Sequence, residues 1–391
     1  MKWPLSQDYN EAIQNPATSF ADPLLRQGTP VTNNLGIPVP RSGNFADVYP
    51  FRDGRGRLWA LKCFTRPVSG LQERYAAIDR HLSQANLPFV VGFRFHPQGI
   101  RVHGKWFPLL QMDWVEGLTL DEFIRRFGGS PANLESLFLM WVRLCRRLRQ
   151  ADIAHGDLQH GNVLLVPSGQ GTRLGLKLID YDGMWVPELA RRTPGEIGHP
   201  HYQHPTRAKG LYGPDIDRFP HLVIACALRA LVVGGMELWH RHDTGDHLLF
   251  SRRDFIEPEQ SVLVAELWKY DDPILTPLLG HLLLSARRSM SETPWLDHLM
   301  VNAETLALAD SEAKELSSIL GLESRPEVKK PHDVETVFAA LRFDDSIGPA
   351  KAGVGSNIGI WLIGLGFFAL GLVLLLAPVV MILLRLWPTS E

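Results

Sequence analysis

The chain has 391 residues, 45% hydrophobic and 21% charged, an ordinary globular composition with room for one large domain or two smaller ones. A formal net charge of −2 argues against a nucleic-acid binder, because affinity for a phosphate backbone needs a concentrated positive field. Cys63, Cys145 and Cys226 are odd in number and far apart; they offer no disulfide framework and no zinc spacing, and point to a reducing compartment.

Residues 1–39 are rich in Pro, Asn and Gln without periodicity, which predicts an irregular N-terminal extension and no signal peptide. Two strands are predicted at 45–51 and 58–64, around the turn signal Asp53-Gly54-Arg55-Gly56. A helix is predicted over 72–82, then strands at 89–95, 101–102 and 106–112. After Gly117 the pattern turns helical. Leu134, Leu137, Phe138, Trp141, Leu144 and Leu148 fall on one helix face, with Asn133 placed to cap it. A mostly apolar strand follows at 176–179, an apolar helix at 219–233, and further helices to about residue 305. Residues 306–356 are charged and small, as in a flexible linker. Residues 358–384 carry no charge, and as a helix they would be about 40 Å long, more than the ~30 Å hydrocarbon core. Trp361 and Trp387 stand near its two ends, so a membrane-spanning helix is predicted over 357–386.

Chemistry concentrates in His155-Gly156-Asp157-Leu158-Gln159-His160-Gly161-Asn162 and Ile179-Asp180-Tyr181-Asp182-Gly183. An Asp, an Asn five residues on, and a second Asp after a strand suit phosphoryl transfer. One carboxylate orients the attacking hydroxyl; an amide oxygen and a second carboxylate hold magnesium on the phosphates. Each residue alone also fits a turn or a strand end. Upstream, Ser42-Gly43-Asn44-Phe45-Ala46-Asp47-Val48-Tyr49 forms a reduced glycine loop, and Trp59-Ala60-Leu61-Lys62 places Ala60 and Lys62 on one strand face.

In this order, over residues 40–305, these segments resemble the protein-kinase-like superfamily, and most closely bacterial eukaryotic-like Ser/Thr kinases with a His-Gly-Asp loop. The resemblance implies an α+β fold of two lobes: a small antiparallel β lobe over about 40–115 and a helical lobe over about 116–305. It implies ATP and Mg2+, with Asp157 as the base or orienting carboxylate, Lys62 on the α- and β-phosphates, and Asn162 and Asp180 as metal ligands. Gly43 and Val48 would cover the nucleotide together with Ala60, Met112 would be the gatekeeper, and the backbone at Asp113–Val115 would bond adenine. Glu73, with Asp79 as the alternative, would pair Lys62. Asp217 would hold the catalytic-loop backbone. The acceptor implied is a protein Ser/Thr hydroxyl, with the membrane helix as tether and the kinase part in the cytoplasm. A small-molecule kinase and a pseudokinase scaffold are the alternatives.

Three positions depart from the family. Gly156 replaces the Arg that senses a phosphorylated activation loop, which leaves Thr193 a candidate acceptor without that sensor. Gln159 replaces a Lys that stabilises the transferring phosphoryl group, a role Lys209 or an Arg could take. Thr206 stands where a Glu usually forms an ion pair. A rival reading of Gly198-His199-Pro200-His201-Tyr202-Gln203-His204-Pro205 makes His199, His201 and His204 metal ligands.

Overall fold

The computed structural model describes residues 3–342, apart from 44, 69, 168–173, 194–195, 209 and 322–333. The predicted membrane helix at 357–386, part of the predicted linker, Asn44 and Lys209 lie outside the described residues. The chain is α+β, an antiparallel sheet part followed by a helical part, an arrangement compatible with two lobes.

The N-terminal residues are ordered into three short helices, α1 (Ser6–Gln14), α2 (Pro16–Ser19) and α3 (Pro23–Arg26). Pro16 and Pro23 open α2 and α3, and Asp22 caps α3 through the Leu24 and Leu25 amides. This corrects the predicted irregular extension. Tyr9, Ile13, Phe20 and Leu25 are buried in one cluster with Tyr49, Phe51, Trp59, Leu61 and Leu109. The segment is the cover of the sheet's outer face.

The sheet consists of β1 (Thr29–Pro30), β2 (Arg41–Ser42), β3 (Ala46–Arg52), β4 (Leu58–Phe64), β5 (Phe93–Val102) and β6 (Lys105–Asp113). Its order is β1-β3-β4-β6-β5, with β2 on β3. Alternation decides the faces. Trp59, Leu61 and Cys63 enter the outer cluster, while Phe64 joins the inner core. Between β4 and β5, α4 (Leu71–Ala85) turns Leu71, Tyr75, Ile78 and Leu82 to that inner core. The predicted strands at 89–95 and 101–102 are replaced by the single β5.

The helical part begins with β7 (Leu118–Thr119), α5 (Leu120–Phe127) and α6 (Pro131–Gln150). The predicted face of α6 is buried, but Ser130 is its N-cap residue and Pro131 its first residue. Proline lacks the N–H that a first turn leaves orphaned, so it fixes the start ahead of Asn133. Next, β8 (Val163–Pro167) and β9 (Leu174–Leu178) make a three-stranded sheet with β7. Then α7 (Arg218–His242), kinked at Gly235 where φ is +61°, runs through the core.

Among the described residues, the stretch Pro214–His242 alone is long and apolar enough to cross a membrane. Within it, 67% of the most apolar window is buried, as in a core helix. Around α7 lie α8 (Arg252–Ile256), α9 (Val262–Trp268), α10 (Leu275–Arg287), α11 (Leu296–Leu299) and α12 (Ala303–Leu306). Two more helices fall inside the predicted linker: α13 (Asp310–Leu320) and α14 (Val334–Arg342). Leu316, Val334, Val337, Phe338 and Leu341 are buried in the main core, so these parts are packed elements.

Candidate functional site

The inner face of the sheet sets the first group. Val48 pairs with Lys62 across β3 and β4, and Ala60 pairs with Met112 across β4 and β6. Paired residues share a face, so Val48, Ala60, Lys62 and Met112 lie together as expected. Gly43 donates its amide to the Ala46 carbonyl at 2.9 Å. A Cβ there would meet Ala46 O at 3.6 Å, ordinary contact, so the position does not demand glycine. On the connecting stretch, the Asp113 amide is taken by Gly92 O at 2.9 Å and the Trp114 amide by Leu58 O at 3.4 Å.

Lys62 is buried, and its ammonium is held twice. Nζ lies 2.7 Å from Asp180 Oδ1 and 2.8 Å from Asp182 Oδ2. Burial opposes its charge, but the two carboxylates outweigh burial and hold the ammonium far above the usual lysine range. Glu73 and Asp79 are both exposed, and neither pairs with Lys62. The predicted helix glutamate is thus corrected. What α4 offers instead is Tyr75, whose hydroxyl donates to Asp182 Oδ1. The helical phase explains the miss: Glu73 precedes Tyr75 by two residues, about 200° around the helix.

Past β9, the Ile179 amide still bonds the chain just ahead of β8, at the Asn162 carbonyl, 3.1 Å away. Asp180 then takes φ +66°, a left-handed conformation uncommon for a non-glycine residue, though one that Asp and Asn adopt more readily than most. Tyr181 is fully buried; its hydroxyl donates to Leu178 O at 2.9 Å and accepts from the Val91 amide at 2.7 Å. Rings connect the two parts in a chain: His155 to Tyr181 at 6.0 Å, Tyr181 to Phe93 at 5.8 Å, Phe93 to Tyr75 at 5.5 Å.

The His155 loop is fastened from below. The His155 and Gly156 amides both donate to the buried Asp217 carboxylate, the latter at 2.9 Å, the role expected of Asp217. Asp157 accepts the His199 amide on Oδ1 at 2.7 Å, and the side chains of Asn162 and Gln159 on Oδ2 at 3.1 and 3.3 Å. Asn162 Nδ2 also donates to Asp157 O at 2.9 Å. Both bonds use the amide nitrogen, so neither occupies the Asn162 side-chain oxygen, an acceptor that could serve a cation. Asn162 and Asp180 fit a magnesium site of the kind that takes few protein oxygens and completes its shell with phosphate and water.

Three glycines bring the loops together. A Cβ on Gly156, where φ is +80°, would meet Gly183 O at 2.2 Å. A Cβ on Gly198, where φ is +89°, would meet Gly156 O at 2.7 Å and Asp157 Oδ1 at 3.0 Å. Glycine at 156 is therefore a packing requirement: the Cβ of any other residue has no room here.

The histidine trio does not assemble. His204 is buried and bonds Ser285 O at 2.8 Å, while His201 Nε2 lies 2.9 Å and His199 Nε2 3.4 Å from the Asp246 carboxylate. His201 Nδ1 accepts the Arg252 amide at 2.8 Å, so its proton sits on Nε2, the nitrogen a metal would need. Among the described residues no group of three or more His, Cys, Asp or Glu is arranged to hold a metal. Thr206 bonds His204 Nδ1 instead of forming an ion pair.

Sequence reasoning missed Tyr75 and Glu196 and read Asp182 only as a departure from a motif. Glu196 is partly buried, and burial, then the Asp182 and Asp180 charges, push its carboxyl up to about 7. Its signal was a lone acid in the segment Pro194-Gly195-Glu196-Ile197-Gly198-His199-Pro200. No protein-family model matches the chain, and no curated protein matches it.

Proposed function

We propose that the chain is an ATP-dependent phosphotransferase with a protein-kinase-like fold over residues 40–305, acting on Ser/Thr hydroxyls of proteins. One observation carries the reading. A buried lysine, three carboxylates and an asparagine from three chain segments form two bonded sets, Lys62 with Asp180 and Asp182, and Asn162 with Asp157. A scaffold has no need to bury a lysine against two acids, an arrangement that costs desolvation.

In this reading Val48, Ala60 and Met112 cover the adenine. With the Asp113 and Trp114 amides already bonded, the Val115 backbone is the group left on that stretch for the base. Lys62 holds the α- and β-phosphates. Asn162 and Asp180 would hold magnesium, which when bound neutralises charge on the phosphates. Asp157 orients the acceptor hydroxyl and takes its proton. The hydroxyl oxygen bonds the γ-phosphorus, the bond to the β,γ-bridging oxygen breaks, and ADP leaves with the electron pair. Glycines 156, 183 and 198 let these groups approach without side-chain interference.

The segment at 357–386, uncharged from 358 to 384, would tether the protein to a membrane, and use of ATP would place residues 1–355 in the cytoplasm. The test is phosphate transfer from labelled Mg-ATP to a generic protein acceptor by the full chain. Wild type is expected to label the acceptor and Asp157→Ala to lose at least about a hundredfold in rate. Equal labelling by both would overturn the assignment, and turnover only with small hydroxyl compounds would move the acceptor class.

A further inference from the structure

A surface that none of the roles above absorbs lies on the hairpin between β1 and β2. Residues 28–40 carry no charge. Both short strands pair with β3, Thr29 opposite Arg52 and Ser42 opposite Asp47, so the chain between them loops out from one edge of the sheet. The hairpin fixes its own shape. Thr32 bridges Pro38, the Asn33 amide donates to Ile37 O at 2.9 Å, and the Gly36 amide donates to Asn33 O at 3.0 Å. The Asn33 side-chain oxygen accepts the Leu35 and Ile37 amides at 2.9 and 3.1 Å, as in an Asx turn, and Gly36 supplies the φ of +75°.

This ordered tip holds aliphatic side chains in water. Leu35 is 81% exposed, Val39 55% and Ile37 46%. Scattered single apolar residues need no explanation, but neighbours grouped on one rigid tip mark an interaction surface. The charges at its base have one outward sign. Arg26, Arg41, Arg52 and Arg55 are exposed. The acids of the same elements are withdrawn: Asp47 and Asp53 are buried, and Asp22 caps α3. On β6, Asp113 is held by Arg57.

We propose that this hairpin enters the interfacial layer of an anionic lipid bilayer, with Leu35, Ile37 and Val39 below the headgroups and Arg41, Arg52 and Arg55 on the lipid phosphates. An apolar tip with cations at its base matches that layer, where hydrocarbon begins just beneath negative charge. A protein groove would take the aliphatic groups, but it has no need of outward arginines on strands whose acids are turned inward. The choice of lipid also rests on the membrane tether proposed above. The described chain ends at Arg342, and residues 343–357 alone separate it from the uncharged segment that begins at 358. A bilayer holding that segment is the surface at the highest effective concentration, so a shallow contact of a few side chains suffices.

The experiment uses the full chain carrying Leu35→Cys or, as a control, Gln260→Cys, each labelled with a polarity-sensitive fluorophore. Both positions are exposed, and Cys63, Cys145 and Cys226 are buried, so one site takes the label. The proteins are reconstituted into phosphatidylcholine vesicles with or without phosphatidylglycerol. Quenching by lipids spin-labelled near the headgroup is read against quenching by iodide on both sides. In anionic vesicles the label at 35 is expected to be quenched by lipid and shielded from iodide, and the label at 260 to behave in the opposite way. Arg52→Glu combined with Arg55→Glu should lower the ratio of inserted to free hairpin about tenfold or more. A label at 35 open to iodide and untouched by the lipid quencher would overturn the proposal, as would equal lipid quenching at 35 and 260. Shielding from iodide without lipid quenching would overturn it in favour of a protein partner or a second copy. Carbonate extraction of the same vesicles reads the tether separately. A retained chain whose label at 35 stays in water would sink the hairpin contact alone, and a released chain whose label had been quenched by lipid would sink the tether alone.

Discussion

Lys62 is bound by Asp182 from the Asp-Tyr-Asp-Gly turn and not by any acid on the helix beside it, with Nζ to Oδ2 at 2.8 Å. The second acid on the same ammonium, Asp180, differs from Asp182 in two ways. Its side chain is 40% exposed against 12%, and its backbone is left-handed. Asp182 has both oxygens engaged, one by Lys62 and one by Tyr75. On the proposed phosphotransferase reading the labour divides: Asp182, engaged at both oxygens, would keep the lysine in place, and Asp180, whose Oδ1 alone is taken by Lys62, would turn to a cation.

The division predicts different losses from two isosteric variants. Asp182→Asn should weaken nucleotide binding about tenfold whether or not magnesium is present, because it loosens Lys62. Asp180→Asn should remove the magnesium dependence and leave metal-free nucleotide binding nearly unchanged. Calorimetric titration of ATP with and without EDTA checks both. Identical magnesium dependence in the two variants would refute the assignment.

Gly156 gives a prediction about the fold. Its φ of +80° and the 2.2 Å approach of Gly183 O leave no place for a methyl group. Gly156→Ala should cost about 2–4 kcal/mol, from the left-handed strain plus displacement of the Gly183 backbone. Gly43→Ala, where the added Cβ makes only an ordinary contact with Ala46 O at 3.6 Å and φ is not left-handed, should stay within about 1 kcal/mol. Urea denaturation of the two variants measures the contrast, and equal costs would contradict it.

The motif residues were legible in the sequence because backbone geometry fixes their spacing. His155 through Asn162 is one loop, and β8 and β9 return the chain to Asp180 beside it. Strand alternation likewise placed Ala60 and Lys62 on one face. Asp182 and Tyr75 were not legible as partners, because their contact joins residues 107 apart through a hydroxyl rather than a charge. The N-terminal helices were missed for another reason: two of them span 4 residues each, too short for any helical period to register.

Those helices carry a prediction of their own. Phe20 is fully buried and packs edge-on to Phe51 at 5.1 Å, closing the outer face of the sheet. Phe20→Ala should cost about 3–5 kcal/mol, as for a core phenylalanine. A chain lacking residues 1–26 should expose Tyr49, Phe51, Trp59 and Leu61 and bind a hydrophobic dye. If deletion leaves melting and dye binding unchanged, the segment is no part of the folding unit.

Glu196 makes stability depend on pH in a direction opposite to that of an ordinary paired acid. Its folded pKa is raised to about 7 against an ordinary value of 4.5, first by burial and then by the Asp182 and Asp180 charges. Between those values the native state holds a proton that the unfolded chain has released. The linkage slope is then negative, so the contribution is full below pH 4.5 and is lost as pH rises through 7. In EDTA, wild type should fall in Tm relative to Glu196→Gln across that window, and the two should run parallel below it. The neutral amide cannot ionise, so the difference curve isolates this one group. Magnesium on Asp180 would offset the neighbouring negative charge and shift the fall to lower pH, which the same measurement repeated with the metal would read. Difference curves flat from pH 4.5 to 8 would show that Glu196 stays ionised and is not held against the two aspartates.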